Sequence, residues 1–197
     1  MEADWEIELG GGAPVIEALW PGFVDLRGSP ERIGEIAEAA IFPALAGLLV
    51  TLNGADSPVW SAKCDLWEPE PDDGTAFDPT GTASACANPA EARAQAELAC
   101  YVDLLPRAGE VFARREQAEE FCREWVARLA LAPLPDCRAE LIARQAIAGD
   151  AEGFGVTAYL SATGLDQAAA GDALAAALAA FADAIAPAAT PSSSGGR

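Results

Sequence analysis

The sequence predicts an α+β fold, in which helices pack on one face of a mainly antiparallel sheet. Several segments alternate apolar and polar residues with a period of two, which is typical of strands with one buried and one solvated face. Other segments carry apolar residues at the spacing of an amphipathic helix. These segments follow one another as strand, helix, strand, strand, helix, strand. We therefore expect a ferredoxin-like (split β-α-β) core, extended by an extra strand and a C-terminal helix.

The first third of the chain carries the signals of a strand and a long helix. Residues 4–9 alternate and predict the first strand, and residues 15–16 and 23–24 predict short strand extensions around a turn. Ser29, followed by a proline and an acid, is typical of a helix N-cap. The helix is expected to restart at Pro43. The residues that we expect it to bury are Ile33, Ile36, Ala37, Ala40, Leu45, Leu48, Leu49 and Leu52.

Two strands form the predicted centre of the sheet. Residues 59–67 place one set of side chains on the core side, namely Trp60, Ala62, Cys64 and Leu66, and Ser61, Lys63, Asp65 and Trp67 on the other. In residues 100–105, Cys100, Val102 and Leu104 oppose Tyr101 and Asp103. Residues 68–89 are rich in Pro, Gly, Asp, Thr and Ala and show no apolar period, which predicts a long acidic loop.

The second half predicts a helix, a hairpin and a final helix. Residues 116–131 show a strong amphipathic period, and residues 137–148 and 154–162 alternate as strands around a turn at 149–153. Thr163 and Asp166 resemble a capping box for the last helix. The core positions of the two helices are Ala118, Phe121, Cys122, Trp125 and Leu129, then Leu174, Leu178, Phe181 and Ile185. We expect one domain over residues 1–189 and a disordered tail over 190–197.

The charge of the chain restricts its partners. With 31 acidic and 12 basic residues, the net charge is −19. Nucleic acids and anionic membrane surfaces would be repelled, because both need clustered positive charge on a protein. We therefore expect no nucleic acid and no membrane as partners, and either a basic protein partner or none that is charged. The simpler interpretation is that the acidity keeps the protein soluble.

The five cysteines favour a reducing, cytoplasmic environment. Cys64, Cys100, Cys122 and Cys137 fall where the strand or helix pattern predicts a buried side chain, whereas Cys86 is predicted to be exposed. The number is odd and no pair forms C-x-x-C, so we predict free thiols. The N-terminus lacks the pattern of a signal peptide. The most apolar long window contains three aspartates, which argues against a membrane span.

The composition also excludes several chemistries. The chain has no histidine, which removes Ser-His-Asp and Cys-His catalysis and histidine-ligated zinc. The glycines at 10–12 lack the lysine and spacing of a phosphate-binding loop, and the acids at 68–78 miss the spacing of a calcium loop. We therefore predict no cofactor and no metal. Lys63 next to Cys64 suggests an activated thiol, but adjacent strand residues face opposite sides of a sheet.

The strand pattern collects one set of polar and aromatic side chains on a single face of the sheet. Mixed charge interleaved with Trp and Tyr is typical of a protein-recognition surface. The alternatives are a solvated face linked by cross-strand ion pairs, or an interface with a second copy of the chain. The residues of this predicted binding face are Lys63, Asp65, Trp67, Tyr101, Asp103, Arg138, Glu140, Arg144 and Tyr159, accompanied by Glu6, Glu8, Thr157 and Ser161.

Two functional hypotheses follow. The first is a small acidic interaction protein, such as an inhibitor or immunity protein, that binds a basic partner or itself through this face. The second is an enzyme or small-molecule binder with a pocket on the same face. Its candidate residues are Lys63, Asp65, Tyr101, Asp103, Arg138 and Arg144. We favour the first, because the usual imidazole acid–base group is missing.

Overall fold

The computed structural model describes residues 1–8, 15–69, 96–107 and 113–186. Most of the predicted acidic loop (68–89), the glycines at 10–12, Cys86 and the predicted disordered tail (190–197) lie outside these residues.

The described residues form six strands and four α-helices. The strands are β1 (Glu2–Ile7), β2 (Ile16–Glu17), β3 (Val59–Trp67), β4 (Ala96–Pro106), β5 (Cys137–Ala148) and β6 (Ala151–Gly164). The helices are α1 (Ala37–Ile41), α2 (Pro43–Asn53), α3 (Arg115–Leu129) and α4 (Gln167–Ile185), and a 3-10 helix spans Pro30–Glu35.

The strands form one sheet in the order β1-β5-β6-β4-β3, with β2 beside β5. The pairs β5–β6, β6–β4 and β4–β3 are antiparallel, whereas β1 and β2 run parallel to β5. The predicted α+β class with a mainly antiparallel sheet is therefore confirmed. The strand order does not confirm the ferredoxin-like part of the prediction, because β6 lies in the centre of the sheet and β1 lies at its edge.

Helices α2, α3 and α4 cover one face of the sheet. Leu49 of α2, Trp125 of α3 and Phe181 of α4 belong to the same core as Val102 and Leu141 of the sheet, and all five are almost fully buried. Removal of each such side chain from water stabilises the fold by about 1.5–3 kcal/mol. This core fixes which face of the sheet is left to polar side chains.

Among the described helices, α4 alone is long and apolar enough to cross a bilayer by length and composition. Seven of its residues are buried inside the domain, and the helix packs on β4 and β6 and against α2 and α3. That arrangement is typical of the core helix of a globular protein.

Some predicted ends and caps differ from the structure. Asp166 is the N-cap of α4, where its carboxylate accepts a hydrogen bond from the Ala169 N–H at 2.9 Å, while Thr163 still belongs to β6. The hairpin turn consists of two residues, because Gly149 adopts the left-handed conformation (φ +64°) that a tight turn requires. No strand forms at 23–24.

The predicted first helix is broken into three pieces. The Ser29 side chain makes no capping hydrogen bond, and the helical region after it begins with a 3-10 helix instead of an α-helix. Ala37 and Ala40, which we expected to be buried, are exposed, and Ala39 is buried instead. The short α1 ends before Pro43, whose missing N–H suits the first turn of a new helix.

A β-bulge in β3 changes the alternation predicted for that strand. The register with β4 skips one residue between Ser61 and Lys63, so Ala62 has no partner. As a result, Trp60 lies on the same face as Lys63. Ser61 turns towards the helices, where its hydroxyl accepts a hydrogen bond from Asn53 Nδ2 at 2.8 Å. The prediction that put Trp60 on the core side and Ser61 on the polar side is wrong, because a bulge shifts the alternation by one residue.

Candidate functional site

The face of the sheet opposite the helices carries the residues of the predicted binding face, and we call it the polar face. Cross-strand pairing joins Asp65 to Tyr101, Tyr101 to Tyr159, and Tyr159 to Glu140. The same register places the remaining candidates on this face: Lys63, Trp67, Asp103, Arg138 and Arg144, with Glu6, Thr157 and Ser161.

The segment 15–27 covers one end of the polar face. A Cβ atom on Gly155 would lie 2.8 Å from Ile16 Cδ1, so the isoleucine sits directly on the strand. The Trp20 indole N–H donates to the Ala62 carbonyl at 3.1 Å. The Arg27 guanidinium lies 4.1 Å from the centroid of Trp60. This end is therefore an internal layer, and the described residues leave the other end of the face uncovered.

A row of aromatic rings crosses the uncovered end. The ring centroids of Trp67 and Tyr101 are 6.2 Å apart, and those of Tyr101 and Tyr159 are 5.8 Å apart, both in tilted arrangements. Such pairs contribute about 0.5–1.5 kcal/mol beyond their burial. Trp67 is 37% exposed, and both tyrosines are half-buried. The row is thus held by its own contacts but still presents ring surface to solvent.

Arg144 connects this row to the edge of the sheet. Its guanidinium lies 5.7 Å from the centroid of Tyr159, and its Nε is 2.9 Å from the Glu8 carboxylate. The Nε–carboxylate contact is an ion pair without aligned hydrogen-bond geometry. Because its side chain is only 13% exposed, Arg144 supports the tyrosine and is not a free cation for a ligand.

Asp103 is a buried carboxylate in the middle of the polar face. It is 8% exposed and accepts a 2.6 Å hydrogen bond from the Thr157 hydroxyl. Burial raises the pKa of Asp103, while the hydrogen bond and the charges of Arg144 and Lys63 act in the opposite direction. The alternative interpretation of this face, in which cross-strand ion pairs link its charges, does not describe Asp103: in the described chain its direct partner is Thr157, and no basic group lies within ion-pair distance.

The polar face is strongly acidic. The five long strands and the residue after β1 place eight carboxylates on it against three cations. The acids are Glu2, Asp4, Glu6, Glu8, Asp65, Glu97, Asp103 and Glu140, and the cations are Lys63, Arg138 and Arg144. A shallow depression of about 190 Å³ lies among Trp67, Arg138, Glu140 and Tyr159.

The thiols lie on the other side of the sheet. Burial, followed by the nearby charges of Glu38, Asp65 and Asp103, raises the pKa of Cys64 to about 12. A thiol with such a pKa holds almost no thiolate at neutral pH, so Lys63 does not activate it. Cys64, Cys100, Cys122 and Cys137 are all free. Among the described residues, no group of three potential metal ligands comes together.

Sequence patterns missed two parts of this site. Glu2, Asp4 and Glu97 also lie on the polar face. Glu2 and Glu97 precede the predicted starts of their strands, whereas Asp4 lies within the predicted first strand, on the same face as Glu6 and Glu8. The alternation of 2–8 does contain this signal. No sequence signal showed that 15–27 would cover one end. Comparison of the chain with protein families, with curated proteins and with solved structures finds no match.

Proposed function

We propose that this chain is an acidic cytoplasmic interaction protein that binds a basic segment of a protein partner on the uncovered end of the polar face. The observation that supports this most directly is the partly exposed aromatic row, Trp67–Tyr101–Tyr159, bordered by the carboxylates of Asp65 and Glu140. Tyr and Trp rings are frequent energetic anchors of protein interfaces.

The chemistry of this surface suits arginine and lysine side chains. A guanidinium that stacks on an aromatic ring is stabilised by about 0.5–2 kcal/mol. A neighbouring carboxylate adds a charge-assisted hydrogen bond. The excess of acids on the face also speeds association with a basic partner. An inhibitor or immunity protein that neutralises a basic enzyme or toxin is one concrete form of this function.

The same charge disfavours a dimer formed through the polar face. Two copies would bring two acidic surfaces together, and like charges across an interface cost several kcal/mol. A small-molecule site that combines the candidate residues is disfavoured as well. Asp103 is buried and Arg144 is paired with Glu8, while Arg138 lines a shallow depression that neither of these two residues lines.

A defined peptide tests the proposal. The probe is a blocked hexapeptide of alternating arginine and tyrosine, titrated into isotope-labelled protein. We expect the largest amide shift changes at Asp65, Tyr101, Glu140 and Tyr159. The double variant Asp65→Asn/Glu140→Gln should weaken binding about tenfold, because it removes the two carboxylates beside the rings.

The matched control is Glu116→Gln/Glu120→Gln, which removes two exposed charges from α3. It should change the affinity much less. Equal weakening by both double variants would mean that the peptide responds only to net charge. The proposal would then be wrong.

A further inference from the structure

A pocket of about 220 Å³ opens beside the free edge of β3. It lies between the bulge of β3, the segment 20–24 and the residues that enter α1. Phe23, Val24, Ile36 and Leu49 supply its apolar lining. The charged groups at this pocket are Glu35, Glu38 and Lys63. Glu35 is already paired with Arg32, whereas Glu38 forms no ion pair within the described residues.

Hydrogen bonds occupy the outer main-chain groups of β3 on both sides of this pocket, at Ala62 and at Leu66, but not next to the pocket itself. β3 is the last strand of the described sheet, so no other described strand pairs with its outer N–H and C=O groups. The outward carbonyl of Ala62 accepts from the Trp20 indole, and the N–H of Leu66 donates to the Asp65 carboxylate at 2.8 Å. Every second residue of a strand directs these groups to the same side. Cys64 therefore directs its own N–H and C=O to the free edge.

No hydrogen bond from outside the β3–β4 ladder reaches Cys64 in the described part of the chain. The uncapped stretch is thus one residue long and lies directly at the pocket, which Cys64 lines. An extended segment placed along this edge would alternate its side chains between the two faces of the sheet. One side chain would enter the pocket on the helix side, and its neighbours would lie on the polar face beside Asp65 and Trp67.

We propose that the partner is bound by strand addition: an extended basic segment of a protein pairs with the edge of β3 at Cys64 and inserts one apolar side chain into this pocket. The inference rests on the proposed function, since it states how the same partner reaches the polar face. The apolar lining selects the inserted side chain. The carboxylate of Glu38 and that of Asp65, which also accepts from the Leu66 N–H, favour basic residues next to it.

The test uses a blocked peptide of the sequence Arg-Val-Arg-Leu-Arg-Val-Arg, which places apolar and basic side chains on opposite faces when extended. Two modified forms carry N-methyl groups, one on the apolar residues and the other on the two inner arginines. In an added strand only one of these two sets of amides faces β3. We expect one modified peptide to lose binding at least about tenfold and the other to bind like the parent. Equal binding by the two forms would overturn strand addition.

A pair of variants tests the pocket. Ala37 lines it, whereas Ala40 is exposed on the same helix away from it. Ala37→Phe should weaken the parent peptide about tenfold, and Ala40→Phe should not. Circular dichroism and thermal unfolding of both variants are the controls for folding.

The outcomes separate this inference from the proposed function. If Asp65→Asn/Glu140→Gln weakens the arginine–tyrosine hexapeptide while the methylated peptides and the Ala37→Phe variant show no preference, strand addition is wrong and the polar face remains the binding surface. If the methylated peptides discriminate but the hexapeptide does not map to the polar face, the edge binds a partner and the proposed face does not.

Discussion

Burial affects the pKa of Asp103 on the polar face more than the nearby charges do. The carboxylate is covered by its neighbours and receives one hydroxyl hydrogen bond. Removing an ionised group from water costs free energy that one neutral hydrogen bond repays only in part. The raised pKa of Asp103 follows from this cost, because burial disfavours the ionised form more in the folded state than in the unfolded chain.

The pH dependence of stability tests this description. The pKa of Asp103 is higher in the folded state than its unfolded value of 3.8. The contribution of this group to the free energy of unfolding is therefore complete below pH 3.8 and is lost as the pH rises through the folded pKa. Asp103→Asn keeps an acceptor for Thr157 and removes the charge. We expect the variant to have a higher free energy of unfolding than the wild type at pH 7, and the difference to vanish at about pH 3.

Chemical denaturation at several pH values measures this difference. Thr157→Val is the control for the hydrogen bond, because it removes the donor and leaves the Asp103 carboxylate in place. We expect it to lower the free energy of unfolding at pH 7. A wild-type protein that is more stable than Asp103→Asn at neutral pH would contradict the assignment.

Among the elements, the segment 15–27 decides how much of the polar face is available. It crosses from the edge beside β5 to β3, and it packs Ile16, Ala18 and Phe23 against Trp60 and Leu105. Its close approach is possible because the strand beneath it carries Gly155. A Cβ there would lie 2.8 Å from both Ile16 Cδ1 and the Leu104 carbonyl oxygen, and a backbone oxygen has little freedom to move.

Substitution of this glycine should therefore destabilise the protein. We expect Gly155→Ala to lower the free energy of unfolding by about 1–3 kcal/mol through overpacking. The matched control is Gly171→Ala in α4, where an added Cβ meets nothing within 4 Å; it should stabilise the protein by about 0.5–1 kcal/mol, because alanine is the better helix former. Urea denaturation of the two variants measures both effects. A neutral Gly155→Ala would show that the segment does not pack as described.

β1 and β3, which lie at opposite edges of the described sheet, each carry an aspartate that accepts a main-chain hydrogen bond. In β1 the Trp5 N–H donates to the carboxylate of Asp4 at 2.7 Å, and in β3 the Leu66 N–H donates to that of Asp65 at 2.8 Å. Each aspartate occupies a main-chain donor at the side of the sheet and adds a negative charge there. Both effects oppose uncontrolled pairing of edge strands between copies. Among the described residues, no such cap lies at Cys64 of β3, where we propose that the partner pairs.

For the molecule as a whole, we expect the net charge of −19 to speed association with the basic partner that we propose. Its field attracts cations over distances of about 10 Å at moderate salt and is screened at higher salt. The apolar pocket and the aromatic rings act only at contact. Association and dissociation should therefore respond differently to ionic strength.

Stopped-flow kinetics with the Arg-Val-Arg-Leu-Arg-Val-Arg peptide test this expectation. Raising the salt from about 20 mM to about 500 mM should slow association about tenfold or more and change dissociation much less. Replacing the peptide's leucine by alanine should mainly speed dissociation, because it removes the group that enters the pocket. An association rate that is insensitive to salt would contradict electrostatic attraction as part of the function.

The local patterns of the sequence determined much of this protein. Period-two alternation located β3 with both ends correct and placed Lys63, Asp65, Tyr101 and Asp103 on one face, because side chains of a strand alternate whatever the strand pairs with. The apolar spacing located α3 and α4 for the same kind of reason. The net charge and the absence of histidine follow directly from the composition.

Only the tertiary structure decided the order of the strands, the bulge after Ser61 and the covering of one end of the polar face by 15–27. It also decided that Asp103 meets Thr157 of another strand, 54 positions away in the chain. These features depend on contacts between segments that are distant in sequence. Local alternation is the same for a strand at the edge or in the centre of a sheet, so it cannot specify which surface remains exposed.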